Sequence, residues 1–282
     1  MISENIIAYI RQSLSGVYPE REASAVARCV AEERYGITMV AAYSGMARKL
    51  TDEEQAELDS VIARLKKGEP VQYVLGCASF MGREFHVERG VLIPRPETEM
   101  LVERVLTDVG NADCQLRMVD AGTGSGAIAI SLKCALPRAE VSAFDVSATA
   151  LRVAADNAKR LEADVNFFTA DMLSPDLPLE TYDVIVSNPP YVRQSEREEM
   201  TVQVKDYEPE LALFVPDEDP LVFYRALAKW GKSVLKSGGA LYVEINSALG
   251  KETSEMFRAE GYEEVRLYKD QFEKDRIVVC RR

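Results

Sequence analysis

Histidine, cysteine and positive charge are all scarce in this 282-residue chain, and each scarcity removes a class of function. The one histidine, His86, rules out a multi-histidine metal centre, and a Ser/His/Asp relay would have to use it. It lies in the alternating run Glu84-Phe85-His86-Val87, where a solvated strand position outweighs a catalytic one. Five cysteines, Cys29, Cys77, Cys114, Cys134 and Cys280, are odd in number, scattered and never spaced C-x-x-C, so reduced structural thiols are expected. Thirty-four Lys and Arg against 46 Asp and Glu leave a net charge of −12, which repels phosphate and argues against direct nucleic-acid binding. No apolar run approaches the ~18 residues of a membrane span. The opening MISENIIAYIRQSLSG has neither a basic stretch before an apolar core nor a small-residue cleavage pattern. A cytoplasmic protein with no membrane partner is expected.

What is present is a core-forming composition, 47% hydrophobic and 28% charged, in a length that suits one or two domains. Residues 1 to about 70 read as helices, within an N-terminal helical domain expected over 1–75. Ile6, Ile7 and Ile10, then Ala23, Val26, Ala27 and Val30, mark two amphipathic faces. Thr51-Asp52-Glu53-Glu54 has capping-box spacing ahead of Leu58, Val61, Ile62 and Leu65. Gly68 and Pro70 stop that helix. From Val71 to Ile93, β-branched and aromatic residues broken by glycines predict short strands, with a β-hairpin linker over 76–95. Pro96 is placed as the first residue of a helix with Leu101, Val102, Val105, Leu106 and Val109 on its buried side. Over 96–282, candidate strands at 116–120, 141–145, 165–170, 182–187 and 240–245 alternate with helical patterns near 125–135, 147–161 and 221–236. Such alternation predicts an α/β, doubly wound parallel sheet. Strands at 263–268 and 276–280 are joined too closely for a parallel crossover, so they are expected as an antiparallel hairpin.

Asp120-Ala121-Gly122-Thr123-Gly124-Ser125-Gly126-Ala127 closes a strand and opens a helix, where glycines let backbone approach a ligand. Gly122, Gly124 and Ala127 also satisfy the dinucleotide fingerprint, with Asp145 about 20 residues on, so a nicotinamide enzyme is an open alternative. Asp120 ahead of the turn, and Asp145 and Asp171 after the next two strands, favour S-adenosylmethionine, whose ribose diol, adenine amino group and ammonium are donors and which carries no phosphate. Asp145 would accept from the ribose, Asp171 from the adenine, and Asp120 would lie near the ammonium. Asp145 has the alternative of capping the helix that starts near Ser147.

Asn188-Pro189-Pro190-Tyr191 follows the buried run Asp183–Ser187. Two prolines stiffen the backbone and remove two N–H donors. The Asn188 oxygen and the Pro189 carbonyl would then hold the two hydrogens of a planar –NH2 group, with Tyr191 as a flat wall. The alternative is a sharp loop and nothing more.

These residues resemble the class I methyltransferase fold and, within it, the PrmC/HemK family of protein glutamine N5-methyltransferases that modify release factors. Val91-Leu92-Ile93-Pro94-Arg95-Pro96-Glu97-Thr98-Glu99, the glycine turn, Asn188–Tyr191, and Tyr207-Glu208-Pro209 with Leu211-Ala212-Leu213 carry the resemblance. It implies a mostly parallel seven-stranded methyltransferase sheet with an antiparallel C-terminal hairpin and a small N-terminal helical domain that docks substrate. It further implies S-adenosyl-L-methionine as cofactor and no metal. The substrate would be the glutamine of the Gly-Gly-Gln loop in class 1 peptide chain release factors, and the default assembly a monomer. Gly122, Thr123, Gly124, Ser125, Gly126 and Asp145 would contact the cofactor, Met172 would take the place of an aromatic beside adenine, and Asn188, Pro189, Pro190 and Tyr191 would form the glutamine site. Asn-Pro-Pro-Tyr alone is shared with adenine-N6 nucleic-acid methyltransferases, and a non-catalytic release-factor binder is the third alternative. Nine acids and three bases lie in Tyr191–Asp219, either a solvated acidic loop or a surface for a basic partner.

Overall fold

Amphipathic spacing in the first 75 residues builds a helical unit in the computed structural model, which describes residues 5–44, 49–110 and 115–282. Cys114 lies outside the described residues. Helices Ile6–Ser13, Glu20–Tyr35, Met39–Tyr43 and Asp52–Lys66 enclose a core containing Ile10, Leu14, Ala27, Val30, Leu58 and Leu65. Asn5 caps the first helix at the Ala8 N–H, 3.1 Å away. Thr51 and Glu54 form the reciprocal capping box, at 3.2 and 2.9 Å. Val71–Leu75, expected as extended chain, is a short helix instead. Pro70 starts it, Gly76 ends it in the left-handed region at φ 78°, and Val74 is buried in the helical core. Packing of one apolar face outweighs the β-branched preference here. By contact density this unit comprises the chain up to Cys77 together with Thr201–Tyr207, and the second comprises Ala78–Met200 and Glu208–Arg282.

The second unit is built on strands. A hairpin of β1 (Cys77–Phe80) and β2 (Arg83–His86) turns at Met81 and Gly82, both at positive φ. Then follow β3 (Arg117–Ala121), β4 (Glu140–Asp145), β5 (Val165–Thr169) and β6 (Tyr182–Ser187). A two-residue pair, β7 (Val192–Arg193) with β8 (Phe214–Val215), precedes β9 (Leu235–Glu244), β10 (Glu263–Lys269) and β11 (Asp275–Arg281). Seven of them form one sheet in the order β10-β11-β9-β6-β3-β4-β5. The five from β9 to β5 run parallel, and β11 pairs antiparallel with both β9 and β10. The expected α/β architecture and C-terminal hairpin are therefore present.

Adjacent strand residues point to opposite faces, so the apolar runs feed two cores. Met118, Val184, Val186 and Tyr242 meet helices Pro96–Val109 and Ala127–Ala135 on one face. Val119, Ile185, Leu241 and Val243 meet Val222–Val234 and Gly250–Ala259 on the other. Strand β9 begins five residues earlier than its sequence suggests. Tyr182 pairs with Leu235 and Val184 with Ala240, so the register slips around Gly238 and Gly239. A side chain on Gly239 would stand 2.9 Å from the Lys236 carbonyl, so this turn-like pair continues the strand as a bulge. None of Cys29, Cys77, Cys134 and Cys280 is in a disulfide, and among the described residues no helix is long and apolar enough to cross a membrane.

Candidate active site

Strand order reverses at β3 and β6, and such a switch point leaves a crevice at the carboxyl ends of the strands. Ala121 stands there between Phe144 and Ser187, its partners in β4 and β6. Each strand leads directly into a segment singled out by sequence, and a cavity of about 240 Å³ opens among them.

The Gly122 and Thr123 N–H groups both donate to the Phe144 carbonyl, at 2.9 and 3.0 Å, which curls the turn back over the sheet. Gly126 sits at φ 82°, and a side chain there would come within 2.8 Å of Ile130 and 3.1 Å of Ala154. Its bareness serves packing. Gly124, at φ 56°, would meet nothing within 4 Å, so its open side is left for a ligand. Asp145 braces the turn: one oxygen takes the Gly124 N–H and the other the Ser147 N–H, both at 2.9 Å. Asp145 also lines the cavity, and a carboxylate can accept more hydrogen bonds than these two. Burial pushes its carboxyl above the ordinary range, against the pull of these N–H donors. Helix capping falls to Ser147, 3.2 Å from the Ala150 N–H.

Asp120 is placed differently from the expectation. It is fully buried beneath the turn and does not line the cavity. One oxygen takes the Thr123 hydroxyl at 2.6 Å and the Ala129 N–H at 3.3 Å. The other has no partner among the described residues. Burial pushes this carboxyl up from 3.8 to about 7. Thr123 and Ser125 lie on the wall, as do Asp171 and Met172. Asp171 is exposed and accepts the Leu173 N–H at 2.9 Å. A side chain at Gly122 would press to 2.8 Å of the Met172 terminal methyl, so thioether and turn are in close contact.

In the loop after β6, Asn188 and Pro190 line the cavity, whereas Pro189 is buried off the wall and Tyr191 is turned away from it. The Tyr191 hydroxyl donates to Glu244 at 3.0 Å, which corrects its expected role as a flat wall. Burial and that carboxylate push its phenol up. The Asn188 amide nitrogen donates to the Thr98 hydroxyl at 3.1 Å, and Thr98 donates to the other Glu244 oxygen at 2.7 Å. His86 does not line the cavity, and its ring nitrogen lies 3.4 Å from Glu88.

Sequence reasoning missed Thr98, Glu244 and Asn157. The Asn157 side chain, fully buried, donates to the Ser125 carbonyl at 3.0 Å and exchanges two hydrogen bonds with the His86 backbone. A buried Asn facing apolar neighbours on its helix was the available signal. Thr98 lay inside a segment already singled out, but its partner Glu244 is 146 residues on.

Comparison with known proteins places these elements. The PrmC N-terminal domain matches residues 5–76 and the methyltransferase small domain residues 96–205. A release factor glutamine methyltransferase of Bacteroides thetaiotaomicron is 48% identical over 278 residues, 98% of this chain and 99% of that one. The chain belongs to the release factor glutamine methyltransferase family. Its relative of that name in Flavobacterium psychrophilum is 38% identical over 280 residues, 99% of this chain and 98% of that one. A methyltransferase structure from Pyrococcus furiosus shares the fold, with a TM-score of 0.53 at 16% identity over 82% of this chain and 98% of that one. Two of the segments that resembled release factor glutamine methyltransferases meet in space. Arg95 forms an ion pair with the buried Glu208, which also takes the Ile93 N–H at 3.2 Å. Glu99 holds the hairpin turn through the Met81 N–H at 2.6 Å.

Proposed function

We propose that this chain transfers the methyl group of S-adenosylmethionine to the side-chain amide nitrogen of the glutamine in the Gly-Gly-Gln loop of class 1 release factors. The reading carries Asn188 as the acceptor that holds the amide, and the single observation behind it is the Asn188 side chain itself. It is on the cavity wall with its nitrogen arm tied to Thr98 and its oxygen arm free of partners among the described residues, beside the glycine turn.

The donor-rich cofactor suits these residues. Asp145 and Asp171 offer carboxylate acceptors on the wall, and the unpartnered oxygen of buried Asp120 is what a nearby cation would compensate. A pyrophosphate does not suit them. Arg95, the one cation among the described lining residues, is already paired with Glu208. The cofactor supplies a methyl carbon activated by a sulfonium. Asn188 then accepts one amide hydrogen of the substrate and orients its nitrogen, and the stiff Pro189-Pro190 backbone keeps that acceptor in place. An amide nitrogen is a weak nucleophile, so positioning and electrostatics supply the rate. The Pro189 carbonyl, buried off the wall, carries no part of this reading.

The binding partner in this reading is the release factor, met by a monomer, with no nucleic acid, metal or membrane required. At least six of the nine acids in Tyr191–Asp219 already have partners within the chain: Glu196, Glu198, Glu208, Glu210, Asp217 and Asp219. This favours a structural role for the acidic run over a docking surface. Incubation with methyl-labelled S-adenosylmethionine and either release factor, its Gln-to-Ala variant, DNA or RNA tests the proposal. Label is expected in the unmodified release factor alone, and label in DNA, or in the Gln-to-Ala variant, overturns it.

A further inference from the structure

An amide is useful as an acceptor only if its oxygen arm faces the substrate, and the two arms of an asparagine are nearly equal in size. Packing alone therefore does not choose between them, and the choice falls to hydrogen bonds. Around Asn188 the choice is made two groups away. Glu244 ends β9 and is fully buried, with one oxygen facing the Tyr191 hydroxyl at 3.0 Å and the other the Thr98 hydroxyl at 2.7 Å. Burial raises this carboxyl, while the two hydroxyls and the charge of Arg276 favour its ionised form; as a carboxylate it only accepts, so both hydroxyls donate to it. Thr98 has one hydroxyl hydrogen, and it is committed. What Thr98 turns toward Asn188, 3.1 Å away, is a lone pair, and only the nitrogen arm of the amide can answer it.

We infer that Thr98 and Glu244 are positioning residues for methyl transfer: the Glu244 carboxylate orients the Thr98 hydroxyl, and Thr98 fixes the Asn188 side chain with its oxygen as the free, substrate-facing arm. The assignment of that oxygen to a substrate amide rests on the proposed function, but the orientation itself does not. Tyr191 is the second donor that holds Glu244 in place. Glu244 sits in a buried position suited to this task, since removal of either hydroxyl leaves a carboxylate oxygen without its donor.

The relay makes a polarity prediction that a merely structural contact does not. Thr98→Val keeps the shape and deletes the hydroxyl, and Thr98→Ser keeps the hydroxyl and trims a methyl. Glu244→Gln supplies both a donor and an acceptor, so Thr98 is free to accept from it and donate to an inverted Asn188. Turnover on release factor is expected to fall ~10–100-fold in T98V and E244Q, with KM within ~3-fold and cofactor affinity within ~2-fold of wild type. T98S is expected to retain most of the turnover. The double variant is expected to be no slower than the worse single one, because both break one chain. T98V within twofold of wild type, T98S as slow as T98V, or losses that multiply in the double variant would each overturn the inference.

A second measurement needs no catalysis. Side-chain amide protons of Asn188, assigned by their loss in N188A, are expected to exchange with solvent at least tenfold faster in T98V than in wild type or T98S. Equal exchange in all three overturns the relay even if the wild-type chain methylates no release factor. Slow exchange in the wild type alongside no methylation would instead retain the relay and reject the proposed function.

Discussion

The two loops that meet at the crevice are held by opposite means. The glycine turn after β3 is fixed mainly by its own backbone and by strand neighbours: Gly122 and Thr123 on the Phe144 carbonyl, Gly126 on Thr123, Asp145 on Gly124. The Asn-Pro-Pro-Tyr loop after β6 is fixed by side chains from remote segments, Thr98 at the start of a helix and Glu244 at the end of β9. A turn held by backbone tolerates side-chain changes and fails when a glycine is filled. A loop held by a side-chain relay does the reverse.

Five substitutions can break or sharpen this contrast. Asn188→Ala, which removes the acceptor, is expected to cost about 10³-fold in turnover, in the range found for lost oxyanion-type contacts. Its cofactor affinity should remain within ~2-fold by calorimetry, and near-normal turnover would end the assigned role. Asp120→Asn comes next, and acts through pH. Folding raises this carboxyl from 3.8 to about 7, so between those values the native state holds more protons than the unfolded one. The burial penalty is absent below about pH 4, grows as pH rises through that window, and is constant above it, amounting to ~4 kcal/mol. Urea midpoints of wild type should decline from pH 4 to 8 relative to D120N, and parallel curves would refute the buried-acid account.

Gly126→Ala should destabilise by ~2 kcal/mol, because the added carbon enters a positive-φ position 2.8 Å from Ile130. Gly124→Ala, with open space before it, should fold with a smaller loss, and equal urea midpoints for the two would remove the distinction between a packing glycine and a ligand-side glycine. The smallest effect is expected at Asp145→Ala. Cofactor affinity should fall ~10-fold, about 1.4 kcal/mol, while turnover at saturating cofactor is largely kept. Unchanged affinity would reassign Asp145 to bracing the turn alone.

Much of the fold was legible because periodicity reports burial one element at a time. The alternation of Met118 with Val119, and of Val184 with Ile185, sorts residues to two faces of the sheet without reference to any partner. Misreadings arose where a neighbour overruled local preference. Val71–Leu75 is β-branched yet helical because Val74 is covered by the helical core. Lys236-Ser237-Gly238-Gly239 reads as a turn, yet it continues β9 as a bulge against Asp183. At the site, Gly122 to Ser125, Asp145, Asp171, Met172, Asn188 and Pro190 line one cavity, whereas Asp120, Gly126, Pro189 and Tyr191 do not.

The amino-acid sequence by itself determined the strand-and-helix order, the glycine turn and the place of Asn188 directly after a buried strand, because each depends on residues close along the chain. Only the tertiary structure decided which way Asn188 faces and what Tyr191 does. Both depend on Glu244, which is 56 and 53 residues from them, and on Thr98, which is 90 residues before Asn188. A hydrogen bond carries no signal of its partner's sequence position, and its direction becomes defined only when the fold has brought donor and acceptor together and excluded the water that would otherwise serve either.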